Sequence, residues 1–153
     1  MARFSDLPEA LAEHLKTLAL PIFEDRPFVA GPQLSERRVA LISSAGLQRR
    51  GDTQWAAGEA GYRVIPGDLQ STELMMSHIS VNYDRTGFQD DVNVVFPLDR
   101  LNELASRGEI GSVADFHYSF MGATDPVAME PAARELGRLL REDAVNAVVL
   151  VPV

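Results

Sequence analysis

The chain has 153 residues, 46% hydrophobic and 24% charged, the balance of an ordinary globular domain with enough apolar material for a sizeable core. A formal net charge of -8 argues against nucleic acid or an anionic membrane surface as a broad partner, since neither polyanion attracts an acidic face. The absence of cysteine excludes disulfides, thiolate metal sites, iron–sulfur clusters and a cysteine nucleophile within these residues. No apolar run approaches the roughly 20 residues of a membrane helix, and the opening Met1 to Glu9 has no apolar signal core, so a cytoplasmic protein with no membrane partner is expected.

Ser5 or Asp6 is placed to cap a first helix, with Pro8 near its first turn and Leu7, Leu11, Leu15 and Leu18 recurring on one face. Prolines and a glycine between Pro21 and Gln33 predict an irregular arm, so that a helix and arm over residues 1–36 open a single α/β domain spanning 1–153. Arg38 to Gly46 is an apolar run ending in small polar residues, the pattern of a buried parallel strand entering a loop. Residues 47–61 read as a long polar connection and Tyr62 to Pro66 as a brief strand. Val92 to Pro97 reads as a further strand, followed by a helix over 98–107 with Leu98, Leu101 and Leu104 on one side and Gly108 beyond its end.

Val113 to Phe120 alternates and suits a strand. Asp125 and Pro126 then open an amphipathic helix carrying Val127, Ala133, Leu136, Leu139 and Leu140, and Ala147 to Val151 closes as a buried strand. Helices alternating with apolar strands predict an α/β fold, an open and mostly parallel sheet with helices on both faces, Rossmann-like or flavodoxin-like. In such sheets ligands bind beyond the carboxyl ends of the strands, and a chain ending at Pro152 and Val153 is expected to be an incomplete version of the fold, with an exposed apolar edge that favours a homo-oligomer.

The run Asp91 to Leu101, with Phe96-Pro97-Leu98-Asp99-Arg100-Leu101 at its core, Gly108 to Ser112, and His117-Tyr118-Ser119-Phe120-Met121-Gly122 resemble the selenoprotein B family of glycine, betaine, sarcosine and D-proline reductases. Tyr62 to Asp68, Ser77-His78 and Tyr83-Asp84 fit the same pattern, so that the resemblance covers most of the chain from Val39 to Val153. It implies a subunit that reduces a small amino-acid-like substrate by selenolate attack on the carbon bearing nitrogen, working with other reductase subunits or a thiol donor. It also implies that a selenocysteine, or a cysteine in variants, follows the last strand at once. Selenocysteine is encoded by UGA, and a gene read without its machinery would end at Val153. The expectation is therefore a chain without cofactor, lacking its redox residues and inactive as it stands, with selenocysteine in the full-length protein.

The site needs an ionised soft nucleophile, groups that hold a carboxylate, and a proton shuttle. His78, in Ser77-His78-Ile79-Ser80, is the candidate shuttle, with Asp84 to orient it and Tyr83 beside it; the alternative is a structural histidine. Ser43, Ser44 and Gly46 end the first strand, where backbone amides either bind a carboxylate or phosphate or satisfy the loop itself. His117 points either into the crevice or into the core, next to Met121 and Gly122, which complete the substrate-binding candidates. His78, Asp84, Asp90, Asp91 and His117 lack the spacing of a metal motif, and none is assigned to a metal; Asp90 and Asp91 read as turn residues, Asp99 and Arg100 as helix-start residues. Trp55 and Phe88 either cover substrate, seal a subunit contact or pack on the core. Two other classes stay open: a non-catalytic α/β binding or subunit-interaction module, and a phosphate-binding domain using the turn from Ser43 to Gly46.

Overall fold

The computed structural model describes residues 4–17, 22, 28–80 and 85–153. At its centre stands β1 (Arg38–Ser43). Along one side of β1 run β5 (Ser112–Val113) and β6 (Phe116–Ser119), and along the other β7 (Ala147–Val151), all parallel to it. β3 (Arg63–Pro66) pairs antiparallel with β6 at the far edge. The fold is thus α/β with an open, mostly parallel sheet, as the alternation of apolar strands and helices predicts.

Side chains alternate across β1. Val39 and Leu41 join Ile65, Phe96 and the buried Leu98 and Leu101 of α3 (Leu98–Ser106) on one face. Ile42 joins Tyr118, Phe120 and the buried Leu136 of α4 (Pro126–Glu142) on the other. Both helices start where the sequence says, and α3 ends within one residue of the expected Arg107. The Asp125 carboxylate accepts the Val127 N–H at 2.9 Å with Pro126 in the first turn, and Gly108 takes a φ of +70° after α3.

Other expectations need correction. Val92–Val94 is a 3-10 turn and no strand forms there, because the Asp91 carboxylate accepts the Asn93 N–H at 2.9 Å and offers the backbone a local bond that overrides the β preference of valine. The strand expected over Val113 to Phe120 is split in two. Asp143, after α4, accepts the N–H groups of Asp115 at 3.0 Å and Phe116 at 3.4 Å and draws the backbone off β1. The long connection after β1 contains β2 (Leu47–Arg49), paired antiparallel with β4 (Leu74–Met76). Trp55 is buried behind it, its Nε1–H donating to the Leu47 carbonyl at 3.1 Å under the Arg63 guanidinium, 4.1 Å from the ring centre, so it packs on the core.

Phe88, in the short α2 (Thr86–Asp90), likewise packs against the β1–α3 cluster. The first helix forms as α1 (Glu9–Thr17), but only Ala12 is buried on it; Leu15 is exposed, and Leu18 lies outside the described residues. β7 forms where expected yet is not buried, with Val148, Val149 and Leu150 all exposed. The amino end of the sheet is held by a charged clamp. The Arg38 guanidinium pairs with the carboxylates of Asp143 and, at 3.1 Å, Asp115, while its Nε donates to the Asp143 carbonyl at 2.7 Å.

Candidate functional site

At the carboxyl ends of β1, β6 and β7 the chain places small, uncharged residues. Ala45 bridges Met121, and Gly46 donates its N–H to the Phe120 carbonyl at 2.9 Å, which ties the exit of β1 to the exit of β6. Ser44 reaches the other way. Its N–H donates to the Val151 carbonyl at 3.1 Å, and its Oγ accepts the Val153 N–H at 2.8 Å. Gly122 sits between them, donating to the Ser44 carbonyl at 2.9 Å. A Cβ at Gly122 would stand 2.8 Å from both the Ser44 and the Val153 carbonyl oxygens, so only glycine lets the three strand ends close up.

Gly46 has a φ of +63°, and a Cβ there would meet the Met121 Cε at 2.8 Å and the His78 Cα at 3.1 Å. Ser77, one residue earlier, donates its N–H to the Gly46 carbonyl at 3.1 Å. The backbone of His78 is thereby brought against the same turn. Ser43, Ser44, Gly46, Met121, Gly122 and the segment bearing His78 therefore assemble at one end of the sheet. Tyr83 and Asp84 lie outside the described residues.

The turn at Ser43 to Gly46 satisfies its own hydrogen bonds. Beyond the amides of Ser44 and Gly46, the Ala45 N–H donates to Ser43 Oγ at 3.2 Å and the Leu47 N–H to Ser119 Oγ at 2.8 Å. Four successive amides are engaged within the protein, which leaves none of them for a carboxylate or phosphate and removes the ground for a phosphate site at this turn. What the turn offers instead is shape, since the Ser44 hydroxyl is itself engaged with Val153, accepting its N–H at 2.8 Å and donating to its carbonyl at 3.3 Å.

His78 is 5% exposed, and its Nδ1 accepts the Ser80 N–H at 3.2 Å. Burial first, and the nearby Arg85 guanidinium second, hold its pKa below the ordinary histidine value. Arg85 donates to the carbonyls of both His78 and Ser80. The ring is accordingly neutral near pH 7, with its proton on Nε2. Arg85 escaped the sequence reading because its partners are backbone carbonyls, which no pattern of side chains advertises.

His117 is not brought to this end. It lies within β6, fully buried, with its ring edge-on to Phe96 at 5.9 Å between centres. Its Nδ1 accepts the Leu41 N–H at 3.0 Å, filling the place on β1 that the interruption between β5 and β6 leaves without a strand partner. Burial pushes its pKa down to about 4. Of the two positions the sequence allows, crevice and core, His117 takes the core.

Two clefts bear on the site. One of about 230 Å³ lies beside the strand ends, apolar throughout, between Ile42, Phe120, Met129 and Leu150. A wider one of about 580 Å³ opens at the amino end of β6, lined by Gly67, Asp68, Asn102 and Asp115. The second is farther from the converging candidates, and ligands of open α/β sheets bind beyond the carboxyl ends of the strands, so the first end is the candidate site.

Residues 13–153 match the family described as glycine/sarcosine/betaine reductase selenoprotein B. The chain is 35% identical over 121 residues to the D-proline reductase subunit gamma of Acetoanaerobium sticklandii, a match covering 77% of this chain and 49% of that protein. It is 31% identical over 145 residues to a glycine reductase complex component B subunit gamma of Carboxydothermus hydrogenoformans, covering 87% of this chain and 32% of that one. A sarcosine reductase complex component B subunit beta of Peptoclostridium acidaminophilum is 29% identical over 138 residues, 86% of this chain and 31% of its own. The chain thus spans between about a third and a half of the length of these relatives. No solved structure matches.

Proposed function

The chain belongs to the glycine/sarcosine/betaine reductase selenoprotein B family, and on that premise we propose that it forms the sheet and the rim of the reaction site in a cytoplasmic reductase subunit. The reaction is reductive cleavage of the C–N bond of a small amino acid or its N-alkyl derivative, with a dithiol as electron donor and other subunits of a reductase complex as partners. The observation that carries this reading is the convergence of Ser43, Ser44, Gly46, Met121, Gly122 and the His78 segment on the carboxyl ends of three parallel strands.

These residues hold no cysteine, so the nucleophile lies outside them, and the reading places it beyond the carboxyl end of β7, beside Ser44 and Gly122. A selenol there supplies attack on the carbon bearing nitrogen: the C–Se bond forms as C–N breaks, the amine leaves with the bonding pair, and a thiol then takes the selenium, releasing the reduced product and leaving a Se–S bond for the dithiol to reopen. Within this chain, Ser44 and Gly122 fix the path of the backbone leaving β7. His78, neutral near pH 7, is suited to accept the proton of the thiol and hand it to the carbon that leaves selenium with the C–Se bonding pair; a substrate whose nitrogen is already cationic needs no proton to depart.

The test is turnover of glycine, sarcosine, betaine and D-proline with dithiothreitol by the reductase as its native source makes it, before and after His78→Asn. One substrate is expected to be consumed, and the substitution to lower kcat by about 100-fold with KM little changed. Consumption of none of the four sinks the reading. The coding sequence after the Val153 codon gives an independent check: UGA with an open frame and a nearby cysteine codon is expected, and a frame encoding neither selenocysteine nor cysteine refutes the placement of the nucleophile. The absence of cysteine favours one second reading, a non-catalytic module that contributes surface to a complex, and that reading predicts tight association with other subunits and no turnover.

A further inference from the structure

β7 has the chemistry of an interior strand and the position of an edge. Among the described residues it pairs only with β1, in register from Val39 with Ala147 to Ser43 with Val151. The Val151 carbonyl faces β1, where it accepts the Ser44 N–H, so by alternation the amides and carbonyls of Val148 and Leu150 face away. The side chains are no better covered. Val148 is 39%, Val149 37% and Leu150 66% exposed, and because successive residues point to opposite faces, apolar surface is open on both sides of the sheet.

Edge strands of native proteins carry charge, proline or a bulge that blocks further pairing; Ala147-Val148-Val149-Leu150-Val151 has none of these. A parallel strand is normally covered on both faces and flanked on both sides. The apolar cleft between Met129 of α4, Ile42 and Leu150 continues the same uncovered surface on the α4 face.

We infer that the outer edge of β7 is an interface, occupied by a further parallel strand and its crossover helix from the part of the reductase subunit that the relatives have and residues 1–153 do not span. The relatives supply the argument for the occupant. They are about two to three times as long as the stretch matched here, enough for several more strand–helix units, each of which needs about 30 residues. A second copy of this chain is the competing occupant. Its pairing would be confined to the strand from Ala147 to Val151, since Pro152 follows and has no N–H to give. The inference rests on family membership and on β7, not on the redox chemistry, and its test reads neither substrate nor turnover.

The protein carrying an amino-terminal affinity tag is purified from its native source, its mass is measured, and hydrogen exchange at Val148 and Leu150 is followed there and in residues 1–153 alone. A species of the relatives' length is expected, in which those two amides exchange on the order of 100-fold more slowly than in residues 1–153. Leu150→Lys should leave the melting temperature of residues 1–153 within about 2 °C, as befits an exposed position, and abolish the added protection in the longer species. Equal exchange in the two species overturns the inference, as does protection that survives Leu150→Lys. Recovery of residues 1–153 alone overturns it too. So does a dimer of residues 1–153 that protects the same amides and is dispersed by Leu150→Lys, which would assign the edge to a second copy.

Discussion

Protonation of His117 should govern the acid stability of the domain. In the folded chain the ring is buried and neutral, with Nδ1 facing the Leu41 N–H, so a second ring proton would both charge a dry site and set donor against donor. Its pKa is accordingly about 4, against 6.5 for an exposed histidine. The unfolded chain therefore binds the extra proton first. Stabilisation is complete above pH 6.5 and is lost as the pH falls towards 4, and the drop is worth about 3 kcal/mol at full extent. His117→Asn keeps an acceptor near the Leu41 N–H and removes the titration. Urea unfolding at pH 7 and at pH 4 is the assay. The native chain should lose about 3 kcal/mol more than the variant between those two values, a relative shift on the order of 1–3 M in midpoint. Carboxylates common to both proteins cancel in the comparison. A stability difference between native and variant that is the same at both pH values would refute the reasoning.

Gly122→Ala places a methyl group 2.8 Å from two backbone carbonyl oxygens that cannot rotate away. It should destabilise by about 1–3 kcal/mol and lower the melting temperature in calorimetry by about 2–10 °C; an unchanged temperature would mean the strand ends are not interlocked there. Asp143→Ala removes one of the two carboxylates that pair with Arg38 and the acceptor of the Asp115 and Phe116 N–H groups, but Arg38 keeps Asp115 and the backbone carbonyl at position 143. The loss should therefore be about 1–3 kcal/mol by urea unfolding, with Asp143→Asn recovering part; a loss under about 0.5 kcal/mol would make the clamp ornamental. Ser44→Ala removes the acceptor for the Val153 N–H and should speed exchange of that amide about tenfold while shifting global stability by only about 1 kcal/mol. Unaltered exchange at Val153 would contradict the assigned bond.

The elements that could be read from the sequence are those whose partners are diffuse. β1, α3 and α4 follow from apolar runs or helical periodicity, and the Asp125 cap from its position before Pro126, because burial against any apolar surface satisfies them. What could not be read depends on one particular partner far along the chain. β2 and β4 are three residues each, too short for a period, and exist by pairing across the intervening loop. The split between β5 and β6 is caused by the carboxylate of Asp143, which follows α4. The apolar run of β7 marks it as a strand and by itself suggests a buried one, whereas its exposed edge follows only from expecting an incomplete sheet, since a run reports what a strand is suited to and not what stands beside it. The site divides in the same way. Ser43, Ser44, Gly46, Met121 and Gly122 are recognisable as strand-end residues, whereas the reason Gly122 must be glycine involves the carbonyls of two other strands.

The distribution of charge along β1 bears on what the far end can do. Its six residues span about 20 Å at strand rise, with the Arg38, Asp115 and Asp143 clamp at one end and Ser43 at the other. Much of the electrostatic fastening of the sheet is thus about two Debye lengths from the carboxyl end at physiological salt, and across solvent it contributes little field there. The strand ends are fastened instead by neutral backbone bonds among Ser44, Gly46, Phe120, Gly122, Val151 and Val153, which set geometry without imposing a net charge. Beside the His78 segment stands Arg85, held to the carbonyls of His78 and Ser80. On the proposed placement, a selenol or thiol seated there would have its ionisation tuned by Arg85 and by the neutral ring of His78. The scaffold in that reading supplies position and, through His78, proton transfer, while the nucleophile comes from outside residues 1–153.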